Sequence, residues 1–224
     1  ALTVANTTAA ITIGQSSSPK TWNVNSADLS NSAVISVAGG SGATSSLLSI
    51  GSGGLTFSGS STVNLNSNTA SGARMSLGGN VSVTGGTTTA VIGNSISNTV
   101  SGNLDLGGAT RTFDVASGST LAVSNVNSGT QGVIISNGGV TKTGAGNMTF
   151  GGGNSDTVAN TYTGLTTVSA GVLQLGSGGT AGSIAGDVVV DAELVFNRSD
   201  AAIYAGSLSG TGAITKLGEG TVSL

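Results

Sequence analysis

Apolar residues in this chain recur at every second position almost from end to end, and almost nowhere at helical spacing. The segments 33–37, 62–65, 81–83, 104–106, 112–115 and 172–175 are examples. Each reads as a strand of three to six residues, and clusters such as Gly39-Gly40-Ser41-Gly42 and Gly51-Ser52-Gly53-Gly54 punctuate them as turns. Short, evenly spaced strands admit two architectures: a sandwich or barrel of antiparallel hairpins, or a parallel β-helix whose coils stack strand on strand. Asn-Gly, the hairpin dipeptide, is sparse, with Asn137-Gly138 the clear case. Aromatic residues make up only 3% of the chain, so the core must be built from Val, Ile, Leu and Ala and must be thin and long. The reading is all-β, a parallel β-helix, with an antiparallel β-sandwich as the alternative.

Two segments 74 residues apart say nearly the same thing. The first runs through Lys142-Thr143-Gly144-Ala145-Gly146, the second through Lys216-Leu217-Gly218-Glu219-Gly220, and each is flanked by short apolar strands. A repeat of this kind marks a chain of stacked units, and the spacing fits three or four coils of roughly 18–25 residues. At ~22 residues per coil and ~4.8 Å between coils, the chain makes about ten coils and a rod of roughly 50 Å. No compositional break divides it, so residues 1–224 read as one continuous solenoid, with its clearest units at 138–175 and 212–224. Lys-x-Gly-x-Gly also invites comparison with phosphate loops, which need a helix after the glycines. Here strands follow, so the motif reads as a corner turn with Lys142 and Lys216 in solvent.

Composition removes several function classes. The chain has no Cys and no His, hence no disulfide, no thiolate site and none of the commonest general base or transition-metal ligand. Six basic residues against nine acidic ones leave no footprint for nucleic acid. No run of 18 apolar residues exists, so no membrane-spanning helix is expected. A start at Ala1, without Met or leader, is expected of a processed or excised chain.

Residues 138–175 resemble the passenger-associated transport repeat of bacterial autotransporters. Lys142, Gly144, Gly146, Asn160, Tyr162, Gly164, Thr166, Val168, Gly171 and Leu173 occupy the matching positions, with an insertion around 155–159. Segment 212–224 matches only the opening strand, turn and strand, so the resemblance covers about a quarter of the chain. It implies a right-handed parallel β-helix exposed outside the bacterial cell, and it brings no catalytic residue.

The densest acidic group is Asp187, Asp191, Glu193 and Asp200. If 188–196 were one strand, Asp187, Asp191 and Glu193 would share its outer face, ~7 Å apart in steps of two. That spacing suits paired carboxylates for glycoside hydrolysis or an oxygen-lined Ca²⁺ site, though a solvated face explains it as well. Gly151-Gly152-Gly153-Asn154-Ser155-Asp156 resembles a Ca²⁺-binding β-roll turn once. Arg198 is the basic residue nearest such a cluster, as a polysaccharide lyase would need. Tyr162 and Trp22 read as packing or turn-anchoring residues.

The resulting expectation is a non-enzymatic extracellular or cell-surface solenoid without a cofactor: a stalk, adhesive element or matrix component. Its partners would be neighbouring coils, and glycans or host or abiotic surfaces. Neither end carries a helix-like cap. Leu2 and Val4 open with strand character, and Val222 and Leu224 close with it. A solenoid edge left open belongs to a longer rod or to a subunit that stacks head to tail into a filament. A polysaccharide-active enzyme using Asp191 and Arg198 is the remaining alternative.

Overall fold

The computed structural model describes residues 1–5, 9–14, 19–39, 45–66, 72–94, 100–125, 131–152 and 159–224. Among them every strand pairing is parallel, which excludes the antiparallel sandwich. The chain winds as a β-solenoid with three faces. Face I carries 21–24, 47–50, 74–77, 102–106 and 133–136, stacked in that order. Face II begins with Leu2–Ala5 and continues through 27–30, 55–57, Val81–Val83, 109–115, 140–143, Thr166–Val168, Val188–Val190 and Leu208–Ser209. Face III is a separate nine-stranded sheet from Ala10–Ile13 to Ala213–Leu217. Eight steps of ~4.8 Å make this sheet about 40 Å tall.

The expected strands of three to six residues hold for face III, but not for the first half of the other two faces. Thr21–Ser30, Leu47–Phe57, Gly102–Val115 and Val133–Thr143 each run through the corner between faces I and II without ending. Register shifts at Val24/Ser26 and Asp105/Ala109 absorb the bend. The pass length also drifts, because register partners are 31 residues apart at Thr89 and Thr120 but 20 apart at Glu193 and Ala213. A uniform 22-residue coil therefore overstated the regularity.

Alternation dictates what lies inside. In Val188–Val190, Thr166–Val168 and Val81–Val83 the outer pair is buried and the middle residue is not. Inward residues form columns one level apart, such as Leu121, Met148, Leu173 and Leu194, all at 1% exposure or less. Burying apolar surface at roughly 25 cal/mol per Å² along such columns is the main favourable term, with parallel backbone ladders joining the levels. Tyr162 packs as expected. It is buried edge-to-face on Phe150 at 6.4 Å, and its hydroxyl lies 2.9 Å from the Thr166 hydroxyl. Trp22 does not anchor a turn. It pairs in register with the buried Leu48 but is itself 38% exposed, and among the described residues no other face I strand pairs with it.

Candidate functional site

The two Lys-x-Gly-x-Gly segments form corners, but at different places in the coil. Lys142 ends a face II strand, with Phe113 and Val168 as its register partners. Lys216 lies in face III, opposite Phe196. The 74-residue spacing is therefore three passes plus one face, and the motif serves two different corners. Both corners turn on a glycine in the left-handed region, Gly144 at φ 70 and Gly218 at φ 69.

Lys142 is not solvated. Its side chain has no exposure, and it stands in an inward column between Phe113 and Val168. Its Nζ bends back to the corner and donates to three carbonyls: Thr143 O at 2.6 Å, Gly144 O at 2.7 Å and Ala170 O at 3.1 Å. Ala170 belongs to the next level, so the ammonium ties one corner to the corner stacked on it. Burial lowers the amine from 10.5 to about 8, against the attraction of Asp114. It stays protonated at neutral pH, and the carbonyls satisfy the charge locally. Lys216 repeats the first two contacts, Leu217 O at 2.7 Å and Gly218 O at 2.6 Å. It is exposed, as expected, and among the described residues its strand is the outermost of its sheet.

The remaining charged groups mostly join levels too. Arg111 donates to Leu106 O and, one level below, to Gly78 O, each at 2.8 Å. Arg74 pairs with Asp105 at 3.0 Å. Arg198 grips Asp200 with two bonds of 2.8 and 2.9 Å and donates to Gly182 O at 2.7 Å. This bond pattern holds the Asp200 carboxyl below its usual range. Five of the six basic residues are thus committed to corners or to acidic partners.

The acidic residues predicted to line one face are separated. Positions 188–196 are two strands on different faces, Val188–Val190 and Glu193–Asn197, and Asp191 sits in the corner between them. Asp187 accepts from the Ser207 backbone N–H at 2.8 Å, and Glu193 from the Thr215 hydroxyl at 2.7 Å. Each partner lies one level on, and Asp114 likewise accepts from the Thr143 hydroxyl at 2.8 Å. Arg198 stands at the opposite end of Glu193–Asn197 from Asp191, so the pair proposed for lyase chemistry does not converge. Among the described residues no three acidic side chains gather as a metal site. The β-roll-like Gly151–Asp156 and the insertion at 155–159 lie largely outside the described residues.

Shallow depressions also mark the described surface. A polar groove of about 350 Å³ runs over the corners between faces I and II, along Gly108, Thr110, Asn137, Gly139, Thr161 and Thr163. A smaller one of about 230 Å³ opens at the C-terminal end among Phe196, Arg198, Ile203, Tyr204 and Val222. The end residues singled out from sequence occupy the two edges. Val4 is buried at 3% exposure and Leu2 is half-buried; Val222 is half-buried and Leu224 is 69% exposed. Sequence reasoning missed the arginine and lysine corner ties. The signal available was that Lys142 falls in phase with Val140 before it, on the inward side of the strand.

Fold and corners together define the class: a parallel β-solenoid whose levels are tied at the corners by cationic side chains and along its outer surface by acid–hydroxyl pairs. Over 55 residues, a quarter of its length, the chain is 54% identical to an adhesin of Brucella suis biovar 1 (strain 1330), the BmaC autotransporter. The stretch spans 2% of that protein. No family model and no solved structure matches the chain. No helix among the described residues is long and apolar enough to cross a membrane.

Proposed function

We propose that this chain is a non-enzymatic section of a bacterial cell-surface adhesive passenger, a stiff solenoid that presents a polar outer face to partners outside the cell. The observation that carries the reading is the local 54% identity to an autotransporter adhesin, in a chain whose fold suits a rod. Three further features support it. Outward positions are rich in Ser, Thr, Asn and Gly, which offer hydroxyls and amides for weak, multivalent contacts with glycans or surfaces. Arg74, Arg111, Lys142, Arg198, Asp105 and Asp114 bond within the scaffold, and Asp191 and Arg198 flank opposite ends of the strand Glu193–Asn197. The absence of His and Cys removes the commonest general base and the thiolate nucleophile.

The test is retention of the purified chain on a panel of immobilised glycans, extracellular-matrix proteins and bare abiotic surfaces. Saturable binding to one class supports adhesion. Turnover of a uronate polysaccharide, with or without Ca²⁺ and abolished by Asp191→Ala or Arg198→Ala, overturns the non-enzymatic reading.

A further inference from the structure

The polar groove over the corners between faces I and II lies mid-rod, on three successive levels at 108–110, 137–139 and 161–164. The levels are stacked directly. Thr110 stands in register with Gly139, and the Val140 and Gly164 backbone N–H groups donate to Leu165 O and Gly138 O, each at 3.0 Å. Two steps of ~4.8 Å make the groove about 10 Å long. Stacking itself keeps its bed bare. A Cβ at Gly138 would fall on Ala109 O, and one at Gly164 on Gly138 O, so neither position can carry a side chain that fills the groove. On the third level Tyr162 turns inward and is 1% exposed, which leaves Thr161 and Thr163 exposed on either side of it.

The groups along the groove are polar, uncharged and unspent. Elsewhere on the outer surface hydroxyls are used to join levels, as Ser58 is on Asp28, Thr143 on Asp114 and Thr215 on Glu193. Among the described residues the hydroxyls of Thr110, Thr161 and Thr163 have no such partner. The Asn137 amide donates to Asp105 Oδ1 at 3.3 Å, and its own oxygen is left to accept. No acidic or basic side chain lines the groove. The nearest in the chain, Asp105 and Arg111, are engaged with Arg74 and the Gly107 N–H and with Leu106 O and Gly78 O.

We infer that this groove binds a short neutral saccharide, held by the Thr110, Thr161 and Thr163 hydroxyls and the Asn137 amide oxygen. Hydroxyls that both donate and accept match a ligand whose own polar groups are hydroxyls. With no charge along its walls, the groove gives no added hold on a uronate or sulfated sugar. A peptide would need an open strand edge or a cavity for an apolar anchor. Here the backbone across the bed is paired level to level, and the Tyr162 ring is covered. The volume of about 350 Å³ is near the lower end of the ~300–1,000 Å³ range of ligand clefts. No aromatic ring faces the ligand, so hydrogen bonds alone hold it and the affinity is millimolar, as suits multivalent contact. The inference rests on the adhesive reading and gives its contact a place in the fold.

The experiment follows the backbone amide resonances of the purified, isotope-labelled chain by NMR during titration with maltotriose, cellotriose, mannotriose and chitotriose, with trigalacturonate as the charged control. The double variant Thr161→Val with Thr163→Val removes two hydroxyls at constant shape. Thr167→Val removes one from an outward face II position outside the groove. Expected are saturable shifts with at least one neutral trisaccharide, centred on 108–110, 137–139 and 161–164. The double variant is expected to bind roughly tenfold more weakly or worse, because two hydrogen bonds are lost, and Thr167→Val to bind like wild type. The inference is overturned by an absence of saturable shifts with every neutral trisaccharide, by shifts centred elsewhere, by trigalacturonate binding as tightly, or by a folded double variant that binds like wild type. Retention of the chain on matrix proteins or abiotic surfaces alongside any of these results leaves the adhesive reading standing without the groove. A chain retained on no surface and shifted by no trisaccharide refutes both.

Discussion

Replacing Lys142 with Met keeps an unbranched side chain in the inward column and deletes only the ammonium. Three bonds from a charged donor, at 2.6, 2.7 and 3.1 Å, are lost. At about 1.5–3 kcal/mol each, they represent roughly 5–9 kcal/mol of gross stabilisation. Removing the charge also relieves its burial. The amine is lowered from 10.5 to about 8, which at about 1.4 kcal/mol per unit corresponds to roughly 3 kcal/mol. Subtraction leaves a net loss of about 2–6 kcal/mol for Lys142→Met. The same replacement at Lys216 touches an exposed side chain with two bonds, where solvent replaces what is removed, and is expected to cost under ~1 kcal/mol. The two variants are compared with wild type by guanidinium unfolding at pH 7, followed by far-ultraviolet circular dichroism. Stacked repeats can unfold in stages, so the midpoint of the transition is compared rather than an extrapolated free energy. If Lys142→Met lowers the midpoint no more than Lys216→Met, the three-carbonyl tie is not a source of stability and the reasoning fails.

Two further outcomes follow from the same corners. Gly171 holds φ 66, and a Cβ there would fall onto the Gly146 carbonyl oxygen of the level below, so Gly171→Ala is expected to destabilise by about 2 kcal/mol or more, read as a lowered thermal midpoint. Burial holds the Tyr162 phenol far above its usual value of 10.0, against the hydrogen bond with Thr166. The unfolded chain therefore loses this proton from about pH 10 while the folded chain keeps it. Stability falls as pH rises beyond that point, and in denaturation at stepped alkaline pH Tyr162→Phe is expected to show a shallower fall than wild type.

Much of the architecture was legible in the residues. Period-two alternation with glycine punctuation fixed an all-β chain, and a scarcity of hairpin turns together with an aliphatic core favoured parallel stacking. Face III strands such as Val172–Leu175 and Asn147–Phe150 lie where alternation put them. The two-face strands such as Gly102–Val115 were not legible, because a corner that keeps its backbone pairing looks in sequence like a glycine turn. The acidic group escapes sequence reading for a related reason. Alternation alone puts Asp191 in mid-strand, but it occupies a corner, and one corner rotates every later side chain onto a new face. Lys142 shows the limit most clearly, since local spacing puts it inside and its charge argues that it belongs outside.

Sequence by itself determined the period of the strands, the aliphatic makeup of the core and the placing of a corner at each Lys-x-Gly-x-Gly. These are local properties, set by backbone dihedrals and by which neighbours alternate. Only the tertiary structure decided which corner each motif serves, which level supplies the third carbonyl to Lys142, and that Asp191 and Arg198 fall at different corners. Those facts depend on pairing between residues 20 to 32 positions apart, where pass length varies and no local pattern records it.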